Sequence, residues 1–324
     1  MTHAIRVYET GGPEVMKWEA VELPDPGPGE VRVRNHAVGL NFLDVYNRSG
    51  LYRRADLPFT PGNEGAGEVV AVGDGVTDFK VGDRVAYADP IGSYAEERNM
   101  PAARLVALPE GIDFRTGAAM MLKGMTVQYL LRRTFKVEKG HTILFHAAAG
   151  GVGLIAGQWA NALGATVIGT VGSAEKAELA KAHGYHHVIN YNTEDFVERV
   201  KEITDGQGVE VVYDSVGKDT FPGSLDCLKP LGMWVPFGQS SGGTPPLELG
   251  MLAQKGSLFV TRPTLFTYAA KREDLVRMAG ELFKVVADGT VKIEVNQTYP
   301  LKDAVQAHRD LEGRKTTGAT VMLP

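Results

Sequence analysis

The chain has 324 residues, of which 44% are hydrophobic and 23% charged. A single core stops growing near roughly 250–300 residues, so this length predicts two domains. The net charge of −5 contains no basic run and argues against a general nucleic-acid surface, and the one cysteine, Cys227, excludes an intramolecular disulfide and every multi-cysteine zinc motif.

The opening "MTHAIRVYETGG" has no long apolar segment, and no run of about 18 apolar residues occurs anywhere, so a cytoplasmic α/β protein is expected. Up to about residue 122 the chain reads as β-rich. "VRVRNHAVGL" alternates Val31 and Val33 with Arg32 and Arg34, the period of a half-buried strand. "GEVVAVG" and "DRVAYA" are short apolar runs bounded by turn residues, which suggests a compact barrel-like domain. The pattern changes after Lys123. "TILFHA" predicts a buried strand, "GGVGLIAGQWANALG" a helix, "ATVIGTV" a strand and "SAEKAELAKAHG" a helix capped by Ser173 and ended by Gly184. The alternation continues through "HVINY", "TEDFVERVKEIT" and "VEVVYDSV". A helix around "FPGSLDCL" and strands "GMWVPFG" and "GSLFVT" complete it. Such alternation predicts a parallel sheet with helices on both faces. Two amphipathic helices, "REDLVRMAGELFKVVADG" and "LKDAVQAHRDLEG", and a final strand "GATVMLP" follow.

The strongest chemical signal is "TILFHAAAGGVGLIAGQWA". It is G-x-G-x-x-G with Ala148 in the first glycine position, set between a strand and a helix. The loop Gly150-Gly151-Val152-Gly153 lets backbone N–H groups approach a pyrophosphate, and the helix N-terminus adds a positive dipole end. A tight strand–helix turn without ligand is the plain structural alternative. NAD sites place a carboxylate at the end of the second strand. Here that turn carries Gly172 and Ser173, with Lys176 one turn into the helix. A 2′-phosphate suits these groups, so NADPH is the expected cofactor; a solvated helix lysine is the plain structural alternative for Lys176.

With these residues in view, the whole chain resembles a medium-chain dehydrogenase/reductase of the zinc-free quinone oxidoreductase branch that includes ζ-crystallin. The markers are "GGPEVMKWEAVELPDPGPGEVRVR", "GLNFLDVYNRSGLY", "PGNEGAGEV", "MLKGMTVQYLL", "HAAAGGVGLIAGQWA", "GSAEKAELAKAHG", "VVYDSVG" and "KGSLFVTRP". The resemblance implies a GroES-like β-rich catalytic domain, residues 1–122 and 267–324. It also implies an inserted Rossmann domain with a doubly wound parallel sheet, residues 123–266, and an active site in the cleft. A homodimer is implied as well, with apolar strands "GMWVPFG" and "GSLFVTRP" as candidate pairing edges.

The same resemblance bears on metal. Asn41 stands at the cysteine of a "G-x-C-x-x-D" zinc segment, Asn63 at the histidine of "G-H-E", and Leu122 near the third ligand position. Zinc needs thiolate, imidazole or carboxylate ligands in a tetrahedral set, and Glu64 alone does not supply one. No metal is therefore expected, and Glu64 with Asn63 is read as pinning a turn. Without a Lewis acid, alcohol oxidation loses its main stabilisation. Quinones and α,β-unsaturated carbonyls accept hydride or electrons with less help.

The resemblance places Asn41, Asp44 and Tyr46 in a loop facing the nicotinamide. Tyr46 and Tyr52 are the phenols expected near a substrate oxygen, as hydrogen-bond or proton donors, or else as packing groups. Further cofactor contacts are expected from Phe42, Thr126, Tyr129, Tyr191, Val216, Gly238, Gln239, Ser240, Ser241, Val260 and Arg262. Arg314 is a second cation for the 2′-phosphate, or a surface arginine. The expected activity is NADPH-dependent quinone reduction. An alkenal, enone or enoyl-thioester reductase is the enzymatic rival, and a non-enzymatic NADPH-binding crystallin-like or RNA-binding protein the rival of another class.

Overall fold

The computed structural model describes residues 1–52 and 56–324. They form two compact units. One comprises Met1–Met125, Ala269–Ala287 and Ile293–Pro324; the other comprises Thr126–Tyr268 and Asp288–Lys292.

The first unit opens with an antiparallel pair, β1 (Thr2–Val7) and β2 (Met16–Val21). Then come β3 (Glu30–Leu40), α1 (Phe42–Ser49), β4 (Glu64–Val72), β5 (Arg84–Tyr87), β6 (Glu97–Pro101) and β7 (Val106–Ala107). Helix α2 (Phe114–Tyr129) carries the chain toward the second unit. In β3 the alternation holds as expected: Val31 and Val33 are buried, whereas Arg34 is exposed. Beyond Ala37 both faces of the strand are covered.

In the second unit strands and helices alternate. β8 (Thr142–Phe145), α3 (Gly151–Ala162), β9 (Thr166–Val171), α4 (Ala174–Ala182) and β10 (His187–Asn190) form its first half. α5 (Phe196–Ile203), β11 (Val209–Asp214), α6 (Gly223–Asp226), β12 (Leu228–Pro236), α7 (Leu249–Gln254), β13 (Phe259–Val260) and α8 (Leu265–Tyr268) follow. The sheet runs β10-β9-β8-β11-β12-β13, and each of its pairings is parallel. Strands covered on both faces read as continuous apolar runs, which is the pattern of β9. The core packs Leu144, Ile168, Val212, Leu225 and Trp234 together.

The tail returns to the first unit with α9 (Arg272–Ala287), β14 (Val295–Pro300), α10 (Ala304–Glu312) and β15 (Ala319–Leu323). α9 buries Leu275, Met278, Ala279 and Leu282, a single stripe at helical spacing. β15 pairs with β3, extending the sheet to the order β14-β15-β3-β4-β5-β7, with β6 also on β3. No helix among the described residues is long and apolar enough to cross a membrane.

Candidate active site

In the first unit, β3 ends at Leu40 and Asn41 takes an extended conformation as the N-cap of α1. The Asp44 side chain reaches back to that cap, accepting from the Asn41 N–H at 2.9 Å. This holds the first helical turn as part of a capping box. Asn41 Nδ2 donates to Glu64 Oε2 at 2.8 Å. The Lys123 ammonium donates to the same oxygen at 2.6 Å, and the Leu122 backbone N–H donates to Oε1 at 2.8 Å. Glu64 is therefore not the turn pin read from the sequence. It starts β4 and clamps that strand to the N-terminus of α1 and to the middle of α2. Gly39 makes room for it: a Cβ there would overlap both Glu64 Oε2 and the Ala118 carbonyl oxygen.

This donor chemistry does not suit zinc. The Glu64 carboxylate already takes three donors, one of them a cation, so a dication brought to it would face the Lys123 charge. Asn63 is buried, and its Oδ1 has no partner among the described residues. No group of three His, Cys, Asp or Glu side chains among the described residues is placed to hold a metal ion.

Asp44 is fully buried. Burial pushes its carboxyl up to about 7, against the pull of the Asn41 N–H, the Tyr94 hydroxyl and the Lys123 charge; Glu64 adds to the rise. Two residues on, the Tyr46 ring lies 5.2 Å from that of Tyr52, and the Tyr52 N–H donates to the Tyr46 carbonyl at 3.0 Å. Phe42 sits against Tyr46 at 6.2 Å. Asn41, Phe42, Asp44, Tyr46 and Tyr52 are thus one local group. Arg314 belongs to the same unit, exposed just past α10.

In the second unit the phosphate loop follows β8. Gly150 is the N-cap of α3 and supplies no capping side chain, so the first-turn N–H groups have no side-chain acceptor at the cap. A Cβ at Gly153 would lie 2.5 Å from the Ala148 carbonyl oxygen, so only glycine fits at this close crossing. An uncapped helix start behind a glycine loop is a cradle that fits a diphosphate. At the end of β9, Ser173 Oγ caps α4 by accepting from the Lys176 N–H at 3.2 Å, which leaves the Ser173 O–H to donate. Lys176 is half-buried in the first turn, and Tyr191 stands exposed against Gly172.

The loop after β11 is tied to the one after β12. The Ser241 N–H and hydroxyl both donate to the Val216 carbonyl at 2.9 Å, and the Gly238 N–H donates to the Asp214 carbonyl at 3.2 Å. Gly150, Gly151, Val152, Gly172, Ser173, Lys176, Tyr191, Val216, Gly238, Gln239, Ser240 and Ser241 thus follow the carboxyl ends of β8 to β12, where open α/β sheets bind ligands. Val260 and Arg262 lie on and just beyond the edge strand β13, both exposed. Thr126 and Tyr129 are buried at the end of α2, where Tyr129 stacks on Tyr268 at 4.6 Å between ring centroids.

Two clusters escaped the sequence reading. One is Lys123, whose signal was visible: a single lysine inside the apolar helix run "AAMMLKGM" is rarely buried without a partner. The other sits in front of the phosphate loop, where buried His146 contacts Thr170 Oγ1 at 2.9 Å and Ser224 Oγ at 3.1 Å. Ser224 and Thr220 donate to Asp214 Oδ2, while the Val216 and Gly217 N–H groups donate to Oδ1. This buried network fixes the loops after β8 and β11 to each other.

Comparison with known proteins agrees with these features. Residues 27–110 match the family described as alcohol dehydrogenase GroES-like domain, and residues 151–279 the family described as zinc-binding dehydrogenase. The chain is 56% identical over 325 residues to a quinone oxidoreductase of Pseudomonas aeruginosa, with 100% of each chain covered. It is 48% identical over 331 residues to the 2-haloacrylate reductase of a Burkholderia species, covering 100% of this chain and 99% of that protein. The crystal structure of Escherichia coli quinone oxidoreductase complexed with NADPH superposes with a TM-score of 0.98 at 51% identity, covering 99% of this chain and 100% of that one. The chain belongs to the medium-chain dehydrogenase/reductase family, in its quinone oxidoreductase branch.

Proposed function

We propose that this chain is a zinc-independent NADPH:quinone oxidoreductase. The observation that carries the reading is the Asn41–Glu64–Lys123 cluster: Asn41 stands at one ligand position of the family, Glu64 and Lys123 adjoin the other two at Asn63 and Leu122, and the three groups bond one another. Full-length identity to proteins named quinone oxidoreductases supports it.

Bound NADPH would supply the hydride, and a quinone that takes it up with one proton from solvent leaves as hydroquinone. The chain's own residues bind and orient. The N–H groups from Gly150 to Gly153 hold the diphosphate, and the Ser173 hydroxyl with Lys176 holds the 2′-phosphate. Gly172, Tyr191, Val216, Gly238, Gln239, Ser240 and Ser241 line the rest of the cofactor path. Tyr46 and Tyr52 face the substrate oxygen that gains negative charge, where a phenol O–H stabilises it.

A second reading is favoured by the 2-haloacrylate reductase relative, whose name implies reduction of a conjugated double bond. NADPH oxidation on a panel of quinones, alkenals and enoyl thioesters, with and without a chelator, separates the two. Turnover of quinones unaffected by chelator is expected. Turnover confined to alkenals or thioesters would overturn the choice, and loss of activity with chelator would overturn the metal-free site. We also propose a cytoplasmic homodimer. The exposed edge strand β13, with Phe259 and Val260 facing solvent, is the kind of unpaired edge that a second copy covers.

A further inference from the structure

Five ionisable side chains form one buried chain of hydrogen bonds in the first unit. Tyr94 Oη donates to Asp44 Oδ2 at 2.9 Å and meets His308 Nε2 at 3.1 Å. His308 Nδ1 meets Arg48 at 3.2 Å, and the Arg48 fork holds both oxygens of Glu312 at 2.9 Å. Asp44, Tyr94 and His308 are fully buried and Arg48 almost so; only Glu312 reaches solvent, its side chain 34% exposed.

The direction of every bond is fixed. Arg48 has only donors, so His308 Nδ1 must accept, and the imidazole proton sits on Nε2. Nε2–H then donates to Tyr94, which passes its own proton toward Asp44. A donor behind the phenol makes Tyr94 a stronger donor to the carboxyl. The groups that act on Asp44 are Tyr94 and the Asn41 N–H by hydrogen bond, and Lys123 and Glu64 by charge; Arg48 and His308 stand behind Tyr94.

We propose that Tyr94 and His308 are positioning residues for reduction: they fix the Asp44 carboxyl at the N-cap of α1 and so set the pH range over which the site turns over. The proposal rests on the quinone oxidoreductase reading above. Reduction puts negative charge on a substrate oxygen, and Glu64 is already neutralised by Lys123. Ionised Asp44, one bond from Asn41 and two residues from Tyr46, adds a negative charge that opposes this step. Activity therefore falls as pH rises through the Asp44 titration, which burial places near 7.

The test measures kcat against pH with NADPH and a quinone for wild type, Tyr94→Phe, His308→Leu, His308→Gln and Asp44→Asn. The Asp44 carboxyl is followed in parallel by carbon-13 NMR. Losing a hydrogen bond to a charged group should move the limb and the carboxyl titration up by about one unit in Tyr94→Phe, and by less in His308→Leu. His308→Gln keeps an amide donor toward Tyr94 and an acceptor toward Arg48, so it should restore the wild-type profile. Asp44→Asn should abolish the limb. A limb that persists in Asp44→Asn, or is unmoved in Tyr94→Phe and His308→Leu, would overturn the proposal. Wild type with no turnover on quinones or enones would instead remove the functional reading, and the carboxyl titration would still decide whether Tyr94 and His308 control Asp44. If His308→Leu fails to fold, Tyr94→Phe and His308→Gln carry the comparison.

Discussion

Lys123→Met leaves a fully buried carboxylate without its cation. Glu64 keeps the Asn41 amide at 2.8 Å and the Leu122 N–H at 2.8 Å, but loses the ammonium at 2.6 Å. Removing one partner of a buried ion pair costs about 3–5 kcal/mol, because the remaining charge stays desolvated. Glu64→Gln leaves the lysine stranded instead, at a cost of similar order. The double variant Glu64→Gln/Lys123→Met buries a neutral amide beside an unbranched apolar side chain, and the charge penalty disappears. It should lose only about 1–2 kcal/mol, a remaining hydrogen-bond and packing defect. The two single effects are therefore strongly non-additive, with a coupling of at least about 4 kcal/mol. Because the chain has two compact units, the readout should be local: hydrogen exchange of β4 and α2 amides across a urea series. A double variant that loses the full sum of the singles would show that Glu64 and Lys123 act independently, and the argument against a metal at this position would lose its electrostatic basis.

Ser173→Ala/Lys176→Ala should raise the Michaelis constant for NADPH by roughly tenfold or more while changing that for NADH little, since a charged hydrogen bond contributes about 1.5–3 kcal/mol; equal losses for both would remove these residues from the phosphate site. Tyr46→Phe should lower kcat by about 100-fold if its hydroxyl serves the substrate oxygen, whereas an unchanged kcat would make it a packing residue. Stability should also respond to acid through two opposed groups. Burial, then the Arg48 charge, holds the His308 imidazole down to about 3, so stability falls as pH drops below its ordinary 6.5. Asp44, raised from 3.8 to about 7, acts the other way, losing stability as pH rises over that range. Each slope is about 1.4 kcal/mol per pH unit, so they nearly cancel between roughly pH 4 and 6.5. His308→Gln should expose the falling slope of Asp44, and Asp44→Asn the rising slope of His308. Urea midpoints across this pH range check both, and parallel curves for the two variants would contradict the linkage.

The fold class was legible because its signals are local. Val31 and Val33 alternate with arginines within four residues, and the loop from Ala148 to Gly153 sits between a buried strand and a helix that periodicity marks unaided. Ser173 reads as a cap from its position alone, and it caps α4 in the structure. The barrel-like reading of the first 122 residues was less complete, because β15 joins β3 from the far end of the chain, beyond any window of sequence. The same limit applies to the site. Asn41, Asp44 and Tyr46 were reached because they share one short segment, "GLNFLDVYNRSGLY", that carries the family resemblance. Tyr94 and His308 were not, because a bond between residues 214 positions apart leaves no periodic trace.

Lys123 shows what a substitution at a ligand position does to the surrounding chemistry. Reading Asn41, Asn63 and Leu122 one by one suggests a metal site with its ligands removed. The structure adds the compensation. A buried carboxylate needs donors or a cation to hold its charge, and Lys123, next in sequence to Leu122, supplies Glu64 with a cation on a covalent tether. The tethered ammonium satisfies Glu64, but it cannot leave an open coordination position for a substrate oxygen as a metal can. Polarising power at this place is thereby given up. On the proposed reading, stabilisation of a reduced oxygen falls to neutral donors such as Tyr46 and Tyr52, which favours substrates that accept hydride in conjugation.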